Sequence, residues 1–462
     1  MRKDPTRRRF VQTLGIGGSV ALAGCSNSGE PEDDVDTESP SQTEPPNSPE
    51  ETTEPEQSEA SLFEQAGLMT ASDGDEGDRL GWSVSVSASG STAIVSAFHD
   101  EDPNGTEAGS VYVFSRSNGS WAQQAKLTAD DGRVADSFGS SVSITDDGTT
   151  ALIGADGNRN SNNQRSGTAY VFSKADESWS QQAKLIADDN QAGDSFGWEV
   201  EIAGDGSTAL IGAFDADRSS SSSEGAAYVF SNSDGSWSQQ AKLKPDSPNQ
   251  FGYSIGMTKE GTRAIISNGG GESSAYLFSR SSGSWQEEAE IIAEDVDAFG
   301  EVVEITNDGT TVIVTAFTDT TANGERSGSA YIFSQADNAW TQEAKLVPDD
   351  GGPGEQFGIS ADIFEDGRSA IVGTERQAEY SGAAYVFSRS DGSWSQQAKL
   401  TPDNAEKGTQ FGTSIAVSDD NSMAIIGADG YKGPNGDDSG VAYAFESTGE
   451  DIGDLIPMPG EN

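Results

Sequence analysis

Cysteine and histidine are almost missing from these 462 residues: Cys25 and His99 occur once each. With so few, neither a Cys/His metal cluster, nor a structural disulfide, nor a Cys–His nucleophile pair can be assembled within the chain. His99 alone could serve a Ser–His–Asp triad, but it stands in Phe98-His99-Asp100-Glu101-Asp102-Pro103, a polar stretch that reads as a solvated loop. Positive charge is scarce as well, since 27 Lys and Arg face 77 Asp and Glu for a formal net charge of −50. Five of those basic residues fall in the first 24 positions, so from Cys25 onward 22 bases oppose 76 acids. Nucleic acid is thereby excluded as a partner, because binding it needs clustered Lys and Arg that displace condensed counterions. The acids are spread over every segment instead of being gathered in one tail. That points to a halophilic, archaeal source, where salt screens charge within about 3 Å at 1 M; a secreted, calcium-laden acidic protein is the alternative.

Long apolar runs are absent too. The run Leu14 to Gly24 is about half the roughly 20 residues that a membrane-spanning helix needs. It follows Thr6-Arg7-Arg8-Arg9-Phe10-Val11, and a basic stretch ahead of a short apolar one reads as a signal peptide. The spacing resembles a twin-arginine export signal, with Arg7 and Arg8 as the pair and Phe10 as the apolar residue that follows, over residues 1–24. Leu22-Ala23-Gly24-Cys25 resembles a lipobox, which makes the chain's single cysteine the site of lipid attachment. Residues 25–60 form a linker: from Ser26 to Ala60 there is no Lys, Arg, Trp, Tyr, Phe, Ile or Leu. Nothing there can bury enough apolar area to offset chain entropy, so the segment is expected to be disordered and extended, reaching roughly 100 Å at about 3.1 Å per residue. Residues 447–462 read as an acidic flexible tail.

Residues 61–446 are one unit written seven times. Its anchors are Leu80-Gly81, Phe138-Gly139, Phe196-Gly197, Phe251-Gly252, Phe299-Gly300, Phe357-Gly358 and Phe411-Gly412, at steps of 58, 58, 55, 48, 58 and 54 residues. Each step accommodates four short strands, which in the second copy read Ser140 to Thr145, Thr150 to Ala155, Thr168 to Phe172 and Trp179 to Leu185. Asp147-Gly148 and its equivalents join strands one and two, and Asn118-Gly119, Asp234-Gly235 and Asp391-Gly392 join strands three and four. A Trp-x-Gln-x-Ala-x-Leu-like fourth strand recurs at Trp121, Trp179, Trp237, Trp285, Trp340 and Trp394, six times for seven starts. The missing fourth strand stands at the front, where Ser61 to Leu68 matches Ser178 to Leu185 with Leu62 in the Trp place. The expected fold is all-β: a seven-bladed β-propeller of four-stranded blades in which the N-terminal strand completes the last blade and removes the open sheet edges.

The Phe-Gly starts, the pairs Gly154-Ala155, Gly212-Ala213 and Gly427-Ala428, and the seven copies together resemble the FG-GAP repeats of integrin α-chain propellers and their prokaryotic relatives. Asp or Phe follows those pairs where the motif has Pro, and the other four copies replace Gly, Ala or both, so the likeness is to a divergent variant with short loops. The resemblance implies calcium in a loop between the first two strands, but here that loop is only Thr145-Asp146-Asp147-Gly148-Thr149, too poor in carboxylates for six- to eight-fold coordination. The acids of the interblade linkers, Asp130, Asp131 and Asp136 with Asp188, Asp189 and Asp194, are the remaining candidates, against a reading as solvated, salt-adapted loops.

The connections between strands two and three vary most, and they share one face of the disc with the interblade linkers, where rigid scaffolds carry recognition. The resemblance implies a non-catalytic surface role in adhesion. The chain is therefore expected to be a monomeric, lipid-anchored cell-surface module that binds a protein or glycan through that face, without a cofactor. A structural envelope scaffold is the alternative. A carbohydrate-active enzyme would need a carboxylate pair roughly 5–9 Å apart, and no copy offers an acid isolated in an apolar setting, so no catalytic residue is assigned. Asn104-Gly105-Thr106 and Asn118-Gly119-Ser120 are sequons for N-linked sugar.

Overall fold

The computed structural model describes residues 62–448, apart from positions 102, 161, 219–222, 270–273, 294, 295, 297, 338 and 434. The signal residues Arg7, Arg8 and Phe10, the lipid-attachment residue Cys25, the linker to residue 60 and the tail beyond 448 lie outside the described residues. Seven four-stranded antiparallel sheets stand in a ring. The chain begins with β1 (Phe63–Met69). Blade 1 follows with β2 (Leu80–Val86), β3 (Thr92–Ala97), β4 (Ser110–Ser117) and β5 (Ser120–Leu127), and blade 2 with β6 (Phe138–Ile144), β7 (Thr150–Ala155), β8 (Thr168–Ala175) and β9 (Ser178–Leu185). Blade 3 is β10 (Val200–Ile202), β11 (Thr208–Ala213), β12 (Ala226–Ser233) and β13 (Ser236–Leu243); blade 4 is β14 (Phe251–Met257), β15 (Arg263–Asn268), β16 (Ala275–Ser281) and β17 (Ser284–Ile291). Blade 5 is β18 (Val303–Ile305), β19 (Thr311–Ala316), β20 (Ser329–Ala336) and β21 (Ala339–Leu346); blade 6 is β22 (Ser360–Ile363), β23 (Ser369–Thr374), β24 (Ala383–Ser390) and β25 (Ser393–Leu400). Blade 7 holds β26 (Phe411–Val417), β27 (Met423–Ala428) and β28 (Val441–Ser447), and takes β1 as its outer strand.

This closure corrects the register expected from sequence. Phe63, not Leu62, pairs opposite Ser447 as Trp179 pairs opposite Lys174, and Leu68 opposes Tyr443 where Lys184 opposes Tyr170. A strand's side chains alternate faces, so a slip of one residue would have turned the whole strand over, and the aromatic at 63 rather than the aliphatic at 62 fills the tryptophan's place. Both are buried against blades 6 and 7.

Each core cluster is shared by two neighbouring blades. Ile94 and Val113 of blade 1, for example, pack with Val142, Ile153 and Tyr170 of blade 2. Phe138 meets Tyr170 and Phe172 at ring-centroid distances of 5.6 and 5.8 Å, and the same trio recurs as Phe196, Tyr228 and Phe230. Edge-to-face geometry of this kind adds to the area buried. At four blade boundaries the Phe-Gly pair meets the glycine near the end of the second strand, as at Gly154, Gly212, Gly373 and Gly427. A Cβ on Gly427 of blade 7 would lie 2.0 Å from the Gly81 carbonyl of blade 1, and one on Gly154 would lie 2.0 Å from that of Gly197. Where Ser or Thr replaces that glycine, its hydroxyl takes a different role: Ser96 Oγ accepts the Ser83 amide at 3.0 Å, and Thr315 Oγ1 accepts the Val302 amide at 3.1 Å.

The innermost strand of every blade would expose unpaired amides along the axis. Side chains from the preceding blade accept them instead. Ser83 and Ser85 take the amides of Val142 and Ile144, Ser141 and Ser143 those of Val200 and Ile202, and Ser254 that of Val303. The turns follow the expected chemistry in part. Asn118-Gly119, Asp234-Gly235 and Asp391-Gly392 have positive φ at both residues, whereas in Asp147-Gly148 only the glycine does. Asp147 instead turns its carboxylate back onto its own loop, accepting from Thr145 Oγ1 at 2.7 Å and the Thr149 amide at 2.9 Å. Strand β6 starts at Phe138 rather than Ser140, since the Phe-Gly pair itself enters the sheet.

Candidate functional site on the loop face

The face formed by the strand-two-to-three connections and the interblade linkers carries a repeated ionic device. In blade 2, Tyr170 donates its hydroxyl to Asp131 at 2.8 Å, Lys184 pairs with the same carboxylate at 2.7 Å, and the ammonium lies 5.2 Å from the centre of the Tyr170 ring. Burial alone would raise the Asp131 pKa, but hydrogen bonds from Lys184 and Tyr170 outweigh it and hold the carboxylate below its ordinary value. Blade 3 repeats this with Lys242 on Asp189 at 2.7 Å and on Asp217 at 2.8 Å, and blade 5 with Lys345 on Asp319 at 2.7 Å. Blades 1 and 6 use Lys126 with Asp73 and Asp100, and Lys399 with Asp350. Glu290 stands in the lysine's place in blade 4 and Leu68 in blade 7, where Leu68 is 41 % exposed.

A second repeated contact ties several linkers to the blades they enter. The amides of Asp130, Asp188, Asp349 and Asp403 donate to the side chains of Gln181, Gln239, Gln396 and Gln65 at 3.0 to 3.1 Å. The Gln and Lys of the recurring Gln-Gln-Ala-Lys-Leu segment are thus both explained by the architecture.

On blade 2 these elements enclose a pocket of about 500 Å³ between the β7–β8 connection and the linkers on either side of the blade. Three cations line it, Arg133, Arg159 and Lys184, with two carboxylates, Asp131 and Asp188. Four amide side chains, Asn158, Asn160, Asn163 and Asn190, line it with Ser166 and Thr168, and Ile186 and Ala187 form its apolar part. The β7–β8 connection is shaped by an isolated bridge between Arg159 and Arg165 and by an Arg159 Nη1 bond to the Asn163 carbonyl at 3.3 Å. At its base Asn158 donates to Asp136 at 2.8 Å and to the Tyr170 hydroxyl at 3.2 Å, and accepts from Thr168 at 3.2 Å.

The sequence pattern of the FG-GAP repeat matches residues 63–114, 121–172, 179–230, 285–333, 340–387 and 394–445, more than half of the chain. The chain belongs to the FG-GAP repeat family. No curated protein matches it. Each matched stretch runs from the outer strand of one blade through the third strand of the next, so the first begins on β1 at Phe63. The FG-GAP unit left unmatched, between residues 230 and 285, has the shortest step and carries Ser267-Asn268 where Gly-Ala would stand.

In this FG-GAP propeller the linker acids considered as calcium ligands are placed as follows. Asp131 and Asp189 each hold a lysine ammonium, Asp136 accepts from the Arg133 amide and Asn158, Asp194 accepts from the Gln191 amide at 2.6 Å, and Asp130 and Asp188 stay at the surface. Among the described residues no three Asp, Glu, His or Cys side chains are grouped as a metal ion would need. Asp194 is nonetheless raised to about 6, by burial first and by the charges of Asp189 and Asp217. His99 is half-buried, not solvated, with its ring 4.0 Å from Phe98. Of the two sequons, Asn118 is exposed at a hairpin tip, whereas Asn104 is half-buried and donates to the Ala129 carbonyl at 3.2 Å.

Acids depart from the repeat at the axis, set among other charges and not isolated in an apolar setting: Glu201 and Asp362 occupy inner-strand positions that are Ser85 and Ser143 in blades 1 and 2. Asp362 accepts the amides of Ile363 and Val417 at 2.8 Å each. Lys259 reaches from blade 4 to Asp146 of blade 2 at 3.2 Å and to Asp419 of blade 7 at 3.5 Å. Burial works against that ammonium, but Asp419, Glu201 and Asp146 overcome it and keep the lysine charged. Burial raises the pKa of Glu201 and of Asp362, and lifts Glu365 to about 7 with help from the Asp419 charge. The signal in the sequence was the single Lys at a turn whose counterparts are Asp, Glu, Asn, Gly or Ala.

Proposed function

We propose that this FG-GAP chain is an exported, lipid-anchored surface module that binds a glycan or protein through the loop face of its propeller, without catalysis. One observation carries the reading: a polar pocket of about 500 Å³ on that face, built from the most variable connection and two linkers, on a scaffold whose other contacts are repeated from blade to blade. Support for export and anchoring comes from Arg7, Arg8, Phe10 and Cys25, and for a saline habitat from the 76 acids that follow the signal. A module of this kind works at the end of its linker, with the loop face as its ligand surface.

The test uses the full chain carrying Cys25→Ser, immobilised in concentrated salt and exposed to cell envelopes of the producing organism. Retention that is lost on shortening the β7–β8 connection, and kept on changing the hairpin at Asp234-Gly235 of the opposite face, supports the reading. No retention by any variant refutes it. Metabolic labelling with a fatty acid should mark the unaltered chain and not Cys25→Ser; equal labelling would remove the anchor from the proposal.

A further inference from the structure

The cations of this propeller are mostly paired: Lys126, Lys242, Lys244 and Lys259 each reach two carboxylates. Six arginines have no carboxylate within ion-pair distance among the described residues, Arg165, Arg280, Arg326 and Arg368 together with Arg133 and Arg159, and the last two line one pocket. Three residues beyond the second strand, where blades 1 and 5 place the acids Asp100 and Asp319, blade 2 places Asn158, a neutral amide, as blades 3, 6 and 7 place the neutral Ala216, Gln377 and Tyr431. Asn190 donates its amide to Ser166 and Gly167 at 3.2 and 3.3 Å and leaves Oδ1 buried without a protein partner, an acceptor set in the pocket wall. A buried acceptor left unmade is costly unless something supplies its hydrogen bond.

We propose that this pocket binds an acidic saccharide, with Arg133 and Arg159 on a sugar carboxylate or sulfate and the asparagine amides on its hydroxyl groups. Guanidinium groups present paired donors to planar oxyanions, and carboxamides offer a donor and an acceptor that match neighbouring hydroxyls. An apolar ligand finds only Ile186 and Ala187 there. The inference rests on the loop-face reading and narrows it to one ligand class.

The experiment titrates three oligosaccharides of equal length, a polyuronate, a sulfated galactan and an uncharged galactan, into the Cys25→Ser full chain in constant salt by calorimetry. Either acidic ligand should bind at least about tenfold more tightly than the uncharged one, the worth of one charge-assisted hydrogen bond. The polyuronate and sulfate arms identify which oxyanion is preferred. The double variant Arg133→Gln, Arg159→Gln should lose that preference while keeping its melting temperature, and Arg133→Lys, Arg159→Lys should restore part of it. Equal binding of charged and uncharged sugars, or an undiminished preference in the Gln variant, overturns the proposal. Should no saccharide bind while the envelope assay still depends on the β7–β8 connection, the acidic-sugar inference fails and the loop-face reading stands; if envelope retention is absent as well, both fail.

Discussion

At the scale of single residues, the two halves of the family signature are halves of one contact. Where blades keep the Gly of Gly-Ala, the next blade's Phe-Gly carbonyl lies where a Cβ would be, 2.0 Å away at Gly427, while blades 1, 4 and 5 carry Ser96, Ser267 and Thr315 in its place. The substitution Gly427→Ala should therefore cost about 2–4 kcal/mol, as overpacking at a rigid contact does. Gly235→Ala is the control, with φ +84° and nothing within 4 Å of the added Cβ, and should cost only about 1 kcal/mol of backbone strain. Denaturant titration of both variants at one salt concentration measures the difference; equal losses would mean that the close approach is not what demands glycine. Sugar attachment separates two other residues. Asn118 stands free at its hairpin tip and Asn104 is engaged with Ala129, so peptide mapping of native protein should find any N-linked sugar on Asn118 alone. A glycopeptide at Asn104 would show that modification precedes folding.

At the scale of elements, β1 is the strand on which the ring depends. Without it β28 would present an unpaired edge, and such edges recruit other chains. A chain truncated through residue 70 should melt over a broad range and self-associate in size-exclusion chromatography, whereas truncation through residue 60 should leave a sharp transition. Strand positions were legible in the sequence because Phe-Gly, Trp and the turn pairs mark each blade and because alternation fixes the faces of β6 and β8. The register of β1 was not, since Leu62 and Phe63 are both apolar and only pairing with β28 decides between them. The loop face was legible as a place, from the varying length of the connections. Its pocket was not, because it joins residues of two linkers to a bridge between Arg159 and Arg165 that no local motif announces. Lys184 and Tyr170 recur in register with the linker aspartates, and that recurrence marks the ion pair and hydrogen bond on Asp131.

At the scale of the molecule, two sets of carboxylates oppose each other in pH dependence. Those with raised pKa include Glu201, Asp362 and Asp419 near the axis, Glu365 at about 7, and Asp78 and Asp194 at about 6. The folded chain holds protons there that the unfolded chain releases near pH 4, so stability falls as pH rises from about 4 to 7. The lowered set, among them Asp131, Asp189, Asp217 and Asp350, stabilises above its unfolded pKa and loses that contribution below about pH 4. Scanning calorimetry in constant salt should find the highest melting temperature near pH 5 and a lower one at pH 8; the reverse order would contradict the axial arrangement. The closure has a mechanical consequence as well. Phe63 pairs with Ser447, so the chain enters the ring on the hairpin face, opposite the loop face. A pull between a ligand held on the loop face and the chain ahead of Leu62 runs along β1, across hydrogen bonds that lie perpendicular to it. These bonds are loaded together in shear instead of being peeled one by one, and the strand that seals the ring is oriented to bear tension.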